Sequence, residues 1–254
     1  MILGTLFVLL CVVAVCVVHY RRAMHEFQIL QKEYNPENKW SEYLQEQLPL
    51  VIRNLPDKWL GNWTRDRTER KDWPVRVSMG AKRFRTTFSQ WLANPDRTYR
   101  NASELGAACK LDLTIHNWFS RWFWVSNSVP SAYVLSGRPD NSCLPLWKTT
   151  ADSTAIVSTG GGAIEVWLSH EAGVPDSIAD TLRGLNPWIQ STNEIPGVEQ
   201  VKFIEVRLRP GNALVVPTHW WVALRSESDE SWFWVHSFQN PVSWLASALR
   251  PTGI

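Results

Sequence analysis

The chain has 254 residues, 44% of them hydrophobic and 20% charged, with a formal net charge of +2. This is the balance of a globular protein, and so small a charge gives no argument for nucleic acid as a partner. Four cysteines without Cys-x-x-Cys spacing exclude a disulfide scaffold and a cysteine-rich zinc site: Cys11 and Cys16 fall in an apolar run, and Cys109 and Cys143 read as buried or idle thiols.

Residues 1–18, MILGTLFVLLCVVAVCVV, carry no charged side chain. A helix needs about 20 apolar residues to cross a bilayer core, with ~17 as the lower end. The run therefore predicts a membrane anchor over residues 1–20, with His19 and Tyr20 reaching the interface. A cleaved signal peptide is the competing reading. It requires a basic leading region and a small-x-small cleavage site, and neither is present. Val13-Ala14-Val15 before Cys16 also argues against a lipoprotein cysteine. Arg21 and Arg22 follow the run and place the remainder on the cytoplasmic face of a single-pass protein. Were the run cleaved, Asn62-Trp63-Thr64 and Asn101-Ala102-Ser103 would be glycosylation sequons of a secreted or lumenal, lectin-like binder.

Residues 21–47 read as a polar helical stalk interrupted at Pro36. From residue 48 to 254 there is no repeat, low-complexity run or Gly/Ser linker, so this is one domain. Pro49 to Leu55 has the β-branched run of a buried strand. Between Arg65 and Arg85 stand Arg65, Arg67, Arg70, Lys71, Arg76, Lys82, Arg83 and Arg85, against Asp66, Glu69 and Asp72. Such a stretch is a mixed solvated surface, or a contact for anionic headgroups or a nucleic-acid backbone. Phe84, Phe88, Trp91 and Leu92 share a helical face, predicting a helix there, and Asn101 to Cys109 predicts another.

After Trp118 the pattern becomes one of short strands rich in tryptophan, of which the chain has sixteen. Ala155–Val157 and Ala163–Leu168 flank Gly160-Gly161-Gly162 and predict a hairpin. The glycines lack the Lys-Ser/Thr of a phosphate-binding loop, and no Gly-x-Ser-x-Gly elbow suggests a hydrolase. Lys202–Arg209, Ala213–Val216, Trp220–Leu224 and Trp232–Phe238 predict strands, and Asn240-Pro241 opens a final helix ending near Arg250. Helices first and strands afterwards predict an α+β, mainly β, protein dominated by a sandwich or barrel.

Two stretches carry a family resemblance. Pro49-Leu50-Val51-Ile52-Arg53, with Trp59 and Trp63 beyond it, is similar to a Pro-Val-Val-Ile-Arg opening. Arg209-Pro210-Gly211-Asn212-Ala213-Leu214-Val215-Val216-Pro217-Thr218-His219-Trp220-Trp221 is similar to a Pro-Gly-Asp-x-Leu-x-x-Pro-x-x-Trp-Trp signature. From about Glu42 to Leu245 the chain resembles the JmjC-like cupins, oxygenases that use Fe(II) and 2-oxoglutarate. The resemblance implies a double-stranded β-helix (cupin, jelly-roll) domain with flanking helices.

That family's iron is held by two histidines and one carboxylate. On the frame Pro145-Leu146-Trp147-Lys148-Thr149-Thr150, the first His position holds Trp147 and the Asp position holds Thr149. The third ligand position, after the Trp-Trp pair, holds Val222, and the cosubstrate-lysine position holds Gly162. Indole offers only a donor and valine nothing, so the resemblance implies a pseudo-enzyme without metal or cofactor. The expected partners are lipid, through residues 1–20, and another protein; nucleic acid is not expected. The alternative is an active oxygenase with rearranged ligands among His116, His170, His219 and His236, none of which opens a His-x-Asp or His-x-Glu.

Overall fold

The computed structural model describes residues 28–56, 143–188, 197–228 and 230–239. It also describes the strands at 74–79, 82–87, 99–102, 126–127 and 131–136, and the single positions 4, 7, 9–12, 14, 90 and 243. The described protein is mostly β. In chain order it runs β1 (Leu30–Glu33), α1 (Trp40–Gln45), β2 (Leu50–Arg53), β3 (Pro74–Met79), β4 (Lys82–Thr87), β5 (Tyr99–Ala102), β6 (Ser126–Asn127), β7 (Ser131–Ser136), β8 (Cys143–Lys148) and β9 (Ser153–Gly161). There follow β10 (Ile164–His170), α2 (Asp176–Leu182), β11 (Ile204–Leu208), β12 (Ala213–Pro217), β13 (Trp220–Ser226) and β14 (Glu230–Gln239).

The strands form two sheets. The longer has ten strands, in the order β1-β2-β12-β9-β14-β7-β5-β3-β4 with β6 beside β14; the shorter has four, β11-β10-β13-β8. Alternation along the strands builds the core between them. Ile164, Val166 and Leu168 of β10, Val206 and Leu208 of β11, and Val222 and Leu224 of β13 meet Ile156, Leu214, Val216, Phe233 and Val235 of the long sheet. Each of these is buried, and apolar area removed from water contributes roughly 25 cal/mol per Å². The segment joining β10 to β11 covers the opposite face of the short sheet. There Val174, Ile178, Leu182, Leu185 and Val201 pack on Leu146, Trp221 and Ala223.

Several predicted elements take another form, each because a long-range partner outbids a local pattern. Within the expected helical stalk, Leu30–Glu33 is a strand, paired in parallel with Leu50–Arg53 and tied by the Leu30 N–H donating to the Pro49 carbonyl at 2.9 Å. Only Trp40–Gln45 of that stretch is helical. Residues 84–87, expected in a helix, belong to β4, which pairs at six positions with β3. Asn101 and Ala102, also expected in a helix, lie in β5 between β3 and β7. The triglycine is not a hairpin: β9 pairs with β12 and β14 in the long sheet, and β10 with β11 and β13 in the short one. The turn, with Gly161 at φ +73°, carries the chain from one sheet to the other. Ser243 is helical, and the rest of the expected final helix lies outside the described residues.

Most of residues 1–20, with Arg21 and Arg22, also lies outside them. Positions 4, 7, 9–12 and 14 are helical, and Phe7, Leu9, Leu10 and Val12 are exposed. Among the described residues no helix is long and apolar enough to cross a membrane.

Candidate functional site

The two ligand positions implied on β8 and β13 do come together. Trp147 stands directly opposite Val222 in the antiparallel ladder, and both belong to the inward core. A bulge makes this possible. The register slips between Val222 and Leu224, so that Pro145 and Leu146 oppose the single residue Ala223. Proline, with no N–H to place in a ladder, suits such an irregularity. The extra residue lets Leu144 and Trp147, three apart, both face inward, while Leu146 faces the outer layer. The Leu146 backbone, at the sheet edge, donates to the Leu185 carbonyl at 2.7 Å and accepts from the Gly184 N–H at 2.9 Å.

Thr149 is buried and wholly engaged by backbone. Its hydroxyl donates to the Pro217 carbonyl at 2.7 Å and accepts from the Trp220 N–H at 3.0 Å. Its own N–H donates to the Trp220 carbonyl at 2.7 Å, and its carbonyl accepts from the His219 N–H at 3.0 Å. Thr149 therefore clasps the end of β8 to the β12–β13 turn. At Gly162 a Cβ would lie 1.9 Å from the Ser228 Oγ, so no longer side chain fits there as the loop is packed. Ser228 belongs to a hydroxyl cluster in which Ser226 Oγ lies 2.7 Å from Ser231 Oγ and donates to the Ser228 carbonyl at 2.7 Å.

The residues present do not fit the iron site that the resemblance implies. The indole at 147 has no acceptor, the hydroxyl at 149 is committed to backbone groups, and the side chain at 222 is fully buried hydrocarbon. Among the described residues no group of three or more His, Cys, Asp and Glu side chains converges as metal ligands would.

Of the candidate histidines, His170 and His219 lie near one another beside Glu171, and His236 stands apart on the long sheet. His170 closes β10: its Nδ1 accepts from the Ala172 N–H at 3.1 Å, which fixes the tautomer with the proton on Nε2, and its ring meets Trp220 edge-on. His236 lies on the long sheet against Phe238, with ring centroids 4.3 Å apart. His219 sits in the β12–β13 turn at φ +69°, a left-handed conformation uncommon outside glycine, which sends its ring to the Glu171 carboxylate at 2.7 Å. His116 lies outside the described residues.

Sequence reasoning passed over the two carboxylates that organise the outer layer of the short sheet. Glu171 bridges His219 and Lys148. The hydrogen bond from His219 is the main cause that holds its carboxyl well down, at about 2, with Lys148 adding to it against the opposing effect of burial. Glu165 is buried in β10 and paired with Arg225 of β13. The Trp167 and Trp188 indoles donate to Glu165 Oε1 at 2.7 and 3.0 Å, and Arg225 Nε donates to Oε2 at 3.0 Å. Burial pushes that carboxyl up, and these donors more than offset it, leaving the value lowered. Arg225 also lies over the Trp188 ring, 5.2 Å from its centroid. A signal for this cluster was present in the sequence: in strand alternation Glu165 falls on the same face as Trp167, away from Ile164 and Val166. Cys143 accepts from the Asn186 amide, and burial pushes its thiol up, which makes it unreactive.

Of the basic stretch, Arg65, Arg67, Arg70 and Lys71 lie outside the described residues. Lys82, Arg83 and Arg85 lie on β4, and Arg85 is exposed.

No known family matches the sequence, and no curated protein does. A solved structure does: that of E. coli ycfD, with a TM-score of 0.51 at 11% identity. The match covers 83% of this chain but only 55% of that one, and at this identity it bears on fold alone.

Proposed function

We propose that this protein is a membrane-anchored, catalytically inactive JmjC-like cupin whose domain serves as a protein-binding or structural module. The observation that carries the reading is the pairing of Trp147 with Val222 inside the core. A pocket for metal, cosubstrate and oxygen needs open coordination positions, and here the equivalent space is filled by indole and isopropyl groups. The fold shared with E. coli ycfD over 83% of this chain, and the pair of facing sheets, support the double-stranded β-helix assignment. The exposed apolar helical positions Phe7, Leu9, Leu10 and Val12 support the anchor. Arg21 and Arg22 orient the domain to the cytoplasmic side.

The test is thermal unfolding of the full chain with Mn(II) and 2-oxoglutarate, separately and together. A ligand bound by the native state alone raises its stability by RT ln(1 + [L]/Kd), about 2.7 kcal/mol at a hundredfold excess over Kd. The expected result is no shift from either. A shift that requires both would overturn the reading and make the protein an enzyme with ligands drawn from elsewhere.

A further inference from the structure

The two edges of the four-stranded sheet are finished differently. At the β8 edge the Leu146 backbone is taken by Gly184 and Leu185, and the bulge at Pro145 interrupts the ladder. The β11 edge has no such cover among the described residues. β11 ends the sheet, contains no proline, and pairs with β10 at five consecutive positions without a bulge. A strand left this way offers its outward N–H and C=O groups to any strand that fits.

One hydrogen bond tells which groups face outward. The Glu227 N–H donates to the Ala163 carbonyl at 3.0 Å, making these two a hydrogen-bonded pair. Alternation along β10 then turns the Glu165 and Trp167 backbone toward β13, and that of Ile164, Val166 and Leu168 toward β11. Their partners Leu208, Val206 and Ile204 face back, which leaves the N–H and C=O of Glu205 and Arg207 directed away from the sheet. Glu205 and Arg207 are exposed, whereas Val206 and Leu208 are buried in the inner core. Arg207 pairs with Glu227, and Glu205 has no ionic partner among the described residues.

A second β11 running antiparallel carries the same two outward residues, so charge selects the register. Centring the pair on Glu205 sets carboxylate against carboxylate, and centring it on Arg207 sets guanidinium against guanidinium; both are unfavourable. Centring on Val206 sets Glu205 opposite Arg207 twice, Ile204 opposite Leu208 twice, and Val206 opposite its own copy. Every outward backbone group of the two residues is then satisfied, and the Arg207 fork serves Glu227 of its own chain and Glu205 of the other.

We propose that β11 pairs antiparallel with β11 of a second copy about a twofold axis at Val206, joining two four-stranded sheets into one of eight strands. The joined sheet ends on both sides at a covered β8 edge, so growth stops at two copies. The inference goes beyond the binding-module reading and stands whether or not the domain is an enzyme.

The experiment measures energy transfer between two populations of the full chain, labelled at the C-terminus and mixed in mild detergent at a fixed protein-to-detergent ratio. Transfer is expected to rise with protein concentration. Glu205→Arg and Arg207→Glu should each weaken association on the order of tenfold, because each sets like charges opposite. Mixing the Glu205→Arg chain with the Arg207→Glu chain should restore it, since opposite charges face one another again. Val206→Cys should give a disulfide between copies on mild oxidation, read as a linked peptide by mass spectrometry, because non-hydrogen-bonded partners stand roughly 4.5 Å apart at Cα. Glu205→Cys should not, its own copy lying diagonally at about 7–8 Å. A wild-type chain that stays monomeric overturns the proposal. So does association that both charge variants leave unchanged, which places the contact elsewhere. Association lost in the variants but not restored by mixing also overturns it, and assigns the edge to a strand of another protein. A response to Mn(II) with 2-oxoglutarate, by contrast, would sink the inactive reading and leave this one untouched.

Discussion

The two faces of the four-stranded sheet are built from the same strands and do opposite things. Inward, β8, β10 and β13 present Trp147, Ile164, Val166, Leu168, Val222 and Leu224, with the His170 ring at the end of β10 set edge-on to Trp220. Outward, the same strands and the turns beside them present Glu165, Arg225, Lys148, Glu171 and His219, and these charges are matched with one another. An inward pocket able to do iron chemistry would need the reverse, with polar groups converging where the core is now dry. The charged residues of the outer layer brace it: Glu165 ties β10 to β13 and to Trp188, and Glu171 ties the ends of β8 and β10 to the β12–β13 turn.

Trp147→Ala should break the inward face most severely. Removing a buried indole costs about 3–5 kcal/mol through lost burial and the cavity left behind. Urea unfolding should show a lower midpoint at unchanged slope. A loss under 1 kcal/mol would mean that Trp147 does not fill the core, and would reopen the question of a pocket.

On the outer face, Glu165→Leu should cost about 2–4 kcal/mol, because it strands the Arg225 charge and two indole donors at once. The double variant Glu165→Leu/Arg225→Leu should recover much of that loss, which a double-mutant cycle in urea would read. Additive losses instead would show that the pair is not coupled.

The smallest effect belongs to Glu171→Gln. Its carboxyl is held at about 2 in the folded protein, below the ordinary value of 4.5. A depressed acid stabilises the fold above its unfolded value and stops doing so as pH falls through the folded one. The contribution is therefore whole above about pH 4.5 and fades between there and about pH 2. With 43% of the side chain exposed, solvent screening reduces it to roughly 1 kcal/mol. Melting curves of wild type and variant should differ at pH 6 and converge toward pH 2. A constant difference across that range would show that Glu171 acts by packing alone.

Strand content was largely legible because alternation is a local signal. Ile204, Val206 and Leu208 announced β11, and the Pro-Gly turn announced the step into β12. The misplaced elements share a cause. Phe84 and the residues after it satisfy a helical spacing, yet β4 is decided by six pairings with β3, which the spacing cannot express. Likewise Leu30–Glu33 is polar enough to pass for a stalk and is a strand only because Leu50–Arg53 lies beside it. At the candidate site, the identities at 147, 149 and 222 were legible from the residues alone, whereas the bulge at Pro145 that turns Trp147 inward was not.

By itself the sequence determined which groups are available: an apolar leader, alternating strands, and indole, hydroxyl and isopropyl groups where the resembled family has iron ligands. It also determined the local conformations that need no partner, such as the turn at Gly211. Tertiary structure alone decided which strand pairs with which, and therefore that β9 and β10 part company across two sheets rather than close a hairpin. It alone decided that Glu165 and Arg225, sixty positions apart, share one ion pair. The reason is physical: side-chain type and backbone preference act over a few residues, whereas pairing and burial depend on segments that only the folded chain brings within hydrogen-bond distance.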